Sequence, residues 1–164
     1  IPEYKIDNKG AFSMKKILSG LLAAVLCLSL AACGGKEETP FDPAADAKTL
    51  LDSGAFTDGL EEIDRDIACT LYGIDETTVS DCAVYGSTGA TAEELAIFTF
   101  SNHDDAGTAL TALQNRVADR KEALASYQPD EVTKLEGAVT QARGNSVLLV
   151  IAADYTPVET FLKG

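Results

Sequence analysis

An α+β fold is what the sequence predicts for residues 42–164: an antiparallel four-stranded sheet in the order ββαββα, helices mainly on one face, and two short helices before it. Three observations predict it. Four extended apolar runs are separated by turn residues and group as two hairpins, one long amphipathic segment lies between the pairs, and cap residues mark the helix starts. About 120 residues suffice for one core and are too few for two ordinary domains.

The first short helix is announced by Asp42-Pro43, an N-cap residue followed by a Pro where a missing N–H costs nothing. Leu50 and Leu51 carry its apolar face and Gly54 follows as a stop. Ile63, Ile67 and Leu71 at i, i+4, i+8 predict a second helix ending at Gly73, with those three side chains on its packing face. Ser80–Tyr85 and Glu94–Ser101 form the first strand pair. In the second run Leu95 and Ile97 point one way while Ala96, Phe98 and Phe100 point the other, which is a central-strand composition. The long helix spans about Asp104–Tyr127, capped by Asn102 or Ser101, with Ala106, Leu110, Leu113, Val117, Leu124 and Tyr127 on one face. Ala138–Arg143 and Val147–Ala153 make the second hairpin across Gly144-Asn145. Thr156-Pro157-Val158-Glu159 reads as a capping box opening a last helix through Phe161 and Leu162.

Ahead of this domain, Met14–Cys33 reads as an export and anchoring signal. Lys15 and Lys16 form a positive n-region, and Ile17–Leu30 is an apolar core of signal-peptide length, short of a membrane span. Leu30-Ala31-Ala32-Cys33 then resembles the bacterial lipoprotein box, so cleavage is expected after Ala32 and a diacylglycerol on the Cys33 sulfur. Only a thiol can form that thioether here. Residues 1–13 precede the Met and read as a translated leader, while 33–41 read as the lipidated Cys and a flexible tether.

Charge narrows the partners. Removing Glu3, Asp7, Lys5, Lys9, Lys15 and Lys16 from the 26 acidic and 13 basic residues leaves 24 and 9, a formal charge of −15 beyond Cys33. Nucleic-acid phosphate and anionic headgroups repel such a domain, so no nucleic-acid partner is expected and membrane attachment falls to the lipid. Arg116, Arg120 and Lys121 form the one tight basic cluster. They are the candidate patch for an anion or partner, against the plainer reading of local neutralisation.

Catalytic and metal motifs fail on inspection. His103 is the single histidine and sits beside Asp104 and Asp105 at a helix start, where neighbours do not converge on one atom. Asp64-Arg65-Asp66 begins like a calcium loop but continues with Ala68 and Cys69 where an oxygen ligand and a Gly are needed. Gly86-Ser87-Thr88-Gly89 lacks the strand-to-helix context of a phosphate loop. Of four cysteines, Cys27 leaves with the signal and Cys33 carries lipid, so Cys69 and Cys82 remain. An exported compartment permits a disulfide between them, but the phase that packs Ile67 and Leu71 turns Cys69 away from the sheet; bridge and separate thiols both stay open. No cofactor is expected.

Leu71-Tyr72-Gly73-Ile74-Asp75, then Gly89-Ala90-Thr91-Ala92-Glu93-Glu94 running into Ile97-Phe98, then Tyr127-Gln128-Pro129, resemble in order and spacing a family of Firmicute lipoproteins catalogued as domain of unknown function 4358. The resemblance covers roughly Thr49–Leu162. It implies a lipid-anchored domain at the extracytoplasmic face of the bacterial cell membrane and brings no activity, ligand or functional residue. A non-catalytic module binding a protein or envelope component is therefore the expected function, rather than an enzyme. The alternative is an extracytoplasmic hydrolase or transferase with a site unrecognisable from sequence. A solute-binding lipoprotein needs two lobes, and this chain has room for one.

Overall fold

The computed structural model describes residues 38–164. The leader, the signal, Ala32 and Cys33 lie outside the described residues. In chain order the elements are α1 (Pro43–Leu51), β1 (Glu61–Glu62), α2 (Arg65–Tyr72), β2 (Val79–Gly86), β3 (Glu94–Phe100), α3 (His103–Leu124), α4 (Pro129–Glu136), β4 (Val139–Arg143), β5 (Ser146–Ile151) and α5 (Thr156–Lys163). A 3-10 turn, Glu76–Thr78, joins α2 to β2.

Among the described residues the sheet has five strands, not four, in the order β1-β2-β3-β5-β4, and every neighbouring pair is antiparallel. β1 is the added edge. Its two residues are both exposed glutamates, paired with Tyr85 and Gly86, so no hydrophobic pattern within it announces it. The two expected hairpins form, and β3 against β5 joins them, placing Leu95 opposite Val150 and Phe98 opposite Val147.

Helices mainly on one face is the second expectation that the structure corrects. Alternation along β3 sends Ala96, Phe98 and Phe100 into one buried cluster with α2, α3 and Leu135 of α4. Leu95 and Ile97 go into another with Ala47 and Leu50 of α1 and Val158 of α5. Both faces are covered. A strand apolar on both sides has to be, because either face left open would expose a continuous apolar surface. The ββαββα order also gains α4, opened by Pro129 and packed through Leu135, which is wholly buried.

Local signals placed several ends correctly. The Asp42 carboxylate accepts from Ala45 N at 2.9 Å and the Asn102 side chain from Asp105 N at 2.9 Å, each satisfying an otherwise unpaired helix N–H. Gly144, at φ +54°, turns the β4–β5 hairpin where a Cβ would come within 2.9 Å of Pro40. Only glycine fits there comfortably. At α5 the cap differs from the capping box. The Asp154 carboxylate, two residues upstream of Thr156, accepts from Thr156 N at 2.8 Å, and this hydrogen bond holds its pKa below the usual carboxylate value. Phe41, expected to close the tether, is buried instead, donates its N–H to Ser146 Oγ at 2.7 Å and stacks with Phe161.

The packing face of α2 is the sharpest correction. Ile67 and Leu71 are 56% and 42% exposed, whereas Ala68, Cys69 and Tyr72 are buried. Small residues let the helix approach the sheet closely, and Tyr72 supplies the one large ring, edge-on to Phe98 at 5.4 Å between centroids. The helix ends as expected at Gly73, φ +65°, with Ile74 N donating to Cys69 O and Gly73 N to Thr70 O.

Candidate functional site

Two consecutive acids at the entrance to β3 organise the interior charge. Glu93 is fully buried and Glu94 is 3% exposed. A carboxylate in such surroundings survives only if its oxygens are supplied with donors. Both are. Glu94 Oε1 accepts from the Tyr72 hydroxyl and from Arg116 Nε at 2.6 Å, while Oε2 accepts from Arg116 Nη2 at 2.8 Å and Arg120 Nη1 at 2.5 Å. The fork of Arg116 thus grips both oxygens. Arg120 also donates to Ala92 O at 3.1 Å, and the Arg116 guanidinium lies 4.8 Å from the centre of the Tyr72 ring.

Titration follows from this arrangement. Burial pushes the Tyr72 hydroxyl well above its ordinary value and the Glu94 carboxylate adds to it, so Tyr72 remains protonated and donates. Burial disfavours the Arg116 charge, but the bonds and attraction of Glu94 outweigh it and raise its pKa.

Glu93 makes a second centre facing other elements. Oε1 accepts from Thr57 Oγ1 at 2.5 Å and Lys134 Nζ at 2.9 Å, and Oε2 from the N–H groups of Thr57 at 2.8 Å and Asp58 at 3.0 Å. Lys134 is shared with Glu131 at 3.2 Å, and Glu131 accepts from Ala92 N at 2.7 Å. Burial pushes the Glu93 pKa up, yet the Thr57, Lys134 and Asp58 bonds overcome it and leave the carboxyl below its usual value. The pair of acids therefore ties four segments to one strand end: α2 and α3 through Glu94, and the loop after α1 and α4 through Glu93.

Of the basic cluster expected on the surface, Arg116 and Arg120 turn inward to Glu94, and Lys121 is half-buried beside them. Ser87, in the loop considered as an anion cradle, donates instead to Asp58 at 2.5 Å and accepts from Thr91 N at 3.0 Å. His103 is exposed at the first position of α3. Cys69 and Cys82 are free thiols, the first buried and the second half-buried. Among the described residues no group of three or more His, Cys, Asp or Glu is placed to hold a metal, and no helix is long and apolar enough to cross a membrane.

Two concave regions border these elements. A cleft of about 620 Å³ runs between α2 and α3, with Tyr72, Arg116 and Arg120 in its lining and Leu71 and Asp119 among its other residues. A groove of about 890 Å³ separates α1 from α5, with Phe41, Pro157 and Phe161 beside the polar Asp46, Thr49 and Arg143. Glu93, Glu94, Tyr72, Thr57 and Lys134 were not singled out as site residues by sequence reasoning. The available signal was two adjacent acids leading into the apolar run Leu95–Phe98, together with arginines at i, i+4 facing the same way on the long helix.

Fold and interior together define a class: an antiparallel α+β domain, covered by helices on both sides, whose buried acids are fully coordinated by its own side chains and backbone. Within that class the chain belongs to the family Domain of unknown function (DUF4358), whose model matches residues 52–152. No curated protein and no solved structure matches the chain. The segments that carry the resemblance meet in space, since Tyr72 from the first donates to Glu94 from the second.

Proposed function

We propose that this protein is a bacterial lipoprotein, anchored through Cys33 at the extracytoplasmic face of the membrane, whose folded domain binds a protein or envelope component and turns over no substrate. The observation that carries the reading is the saturation of Glu93 and Glu94. Each accepts four hydrogen bonds from the protein, about the full capacity of a carboxylate, so neither has an oxygen to spare for a proton or a substrate. General bases are poised differently, within reach of a substrate proton and with a pKa brought near the working pH. Glu93 is held below its ordinary value, in the opposite direction.

The test has two arms. In the first, Cys33→Ser is expected to leave an unprocessed or released protein, read by membrane fractionation; a Ser variant still cut after Ala32 and still in the membrane fraction would overturn the anchor. In the second, the anchored protein is crosslinked in its native envelope while the purified domain is offered peptide, glycan and phosphodiester substrates. A reproducible adduct without turnover is expected. Turnover abolished by one Ser, Thr or Asp substitution in a folded domain would establish the hydrolase or transferase reading instead.

A further inference from the structure

We infer that Cys69 and Cys82 form a reversible disulfide that staples α2 to β2. Two contacts fix where α2 lies over the sheet. At its first residue Arg65 Nη2 donates to Val79 O, and at its last the Tyr72 ring packs against Phe98, the cross-strand partner of Cys82. The helix therefore runs in the direction of β2, from Val79 onward. Cys69 stands four residues after Arg65, about 6 Å along the axis. The same advance along a strand covers about two residues. A register shift between Val79 and Asp81 absorbs one more, so the matching position on β2 is Asp81 or Cys82. Of these, Cys82 packs against the cluster that contains Cys69, whereas Asp81 is exposed.

The Cys82 thiol also feels Cys69. Burial pushes both above the usual value, and Cys69 comes next among the groups raising Cys82, against the opposing pull of Arg65. The structure reverses the helix phase that would turn Cys69 away from the sheet: Cys69 is buried while Ile67 and Leu71 are exposed.

The chemistry is thiol–disulfide exchange with an external disulfide, small or protein-borne. The sulfur of Cys82, the more accessible of the two, attacks it as a thiolate; one external thiol leaves with a proton and a mixed disulfide remains. The Cys69 thiolate then attacks the Cys82 sulfur and expels the second external thiol. Two protein thiols are oxidised by two electrons and one disulfide is reduced to two thiols. The staple would set how firmly the sheet holds the helix that presents the exposed Ile67 and Leu71. Only the natural oxidant depends on the extracytoplasmic reading proposed above; the geometry does not.

The experiment uses the full mature chain with Cys33→Ser, so that two thiols remain. After equilibration of the folded protein with oxidised glutathione, denaturation and alkylation, mass spectrometry is expected to show a monomer with neither cysteine alkylated and two hydrogens lost. Its thermal midpoint should lie about 10 °C above that of the reduced form and return with dithiothreitol. Cys69→Ser and Cys82→Ser should each abolish the shift. Two alkylated cysteines, stable glutathione adducts or only intermolecular disulfides would overturn the staple. The same alkylation applied to protein taken directly from the envelope reads the compartment separately, because free thiols there beside a bridge formed in vitro would count against the oxidising location alone.

Discussion

Replacing Glu94 by Ala is expected to cost about 3 to 5 kcal/mol, because it leaves two guanidiniums and a tyrosine hydroxyl without their common acceptor in a nearly dry site. The side chain of Glu94 is 4% exposed, and those of Arg116 and Arg120 are 17% and 23% exposed, so solvent screens the loss only in part. Surface pairs such as Lys48 with Asp52 are a useful contrast. Both partners there are more than half exposed, so solvent screens the pair and removing either should change stability far less than the loss of Glu94. Urea unfolding of the two variants side by side checks the difference. A Glu94→Ala loss no larger than that of Asp52→Ala would mean that the buried centre does not hold α2 and α3. A double-mutant cycle with Arg116→Met then apportions the coupling, since single deletions include the cost of the stranded partner.

Where a feature is encoded within a few residues, the sequence is readable. Asp42-Pro43, Asn102 and Gly144-Asn145 each state a cap or turn whose partners lie at most three positions away, and each appears as expected. Features decided by distant partners are not. Ile67 and Leu71 outrank Ala68 and Cys69 in hydrophobicity, so periodicity assigns them to the core. The packing is decided by Tyr72, whose hydroxyl must reach Glu94, 22 residues away in sequence, and by a separation that small side chains permit.

The same reasoning separates what was legible in the sheet from what was not. Leu95-Ala96-Ile97-Phe98 and Val147–Ile151 are apolar on both faces, which implies helices above and below; grouping the helices on one side overlooked that consequence. β1 offers no such clue, being two glutamates recruited by main-chain pairing. α4 had a short local signal in Pro129 with Val132 and Leu135, masked by its proximity to the long helix. As for the site, adjacent glutamates before a strand look like a solvated edge until Arg116, Arg120 and Lys134 are seen to turn toward them.

Glu93→Gln should be the second large effect, about 3 kcal/mol at neutral pH, with a distinct acid signature. The substitution keeps the shape but removes the charge, and its amide group must point either at the Thr57 and Asp58 N–H groups or at Lys134. Either orientation sets donor against donor. The sign of the pH dependence follows from the depressed folded-state pKa of Glu93. Such a group contributes its full stabilisation above its unfolded value, near 4.5, and loses it as pH falls through the lower folded value. Lys134, whose pKa burial lowers but Glu93 and Glu131 raise further, stays charged throughout that window. The gap in unfolding free energy between the parent domain and Glu93→Gln is therefore expected to be constant from about pH 8 to pH 6 and to narrow progressively below about 4.5. Chemical denaturation at a series of pH values measures it directly. A gap that does not close in acid would show that the variant disturbs packing rather than charge, and a gap below about 1 kcal/mol at neutral pH would remove Glu93 as the tie between α4 and the loop after α1.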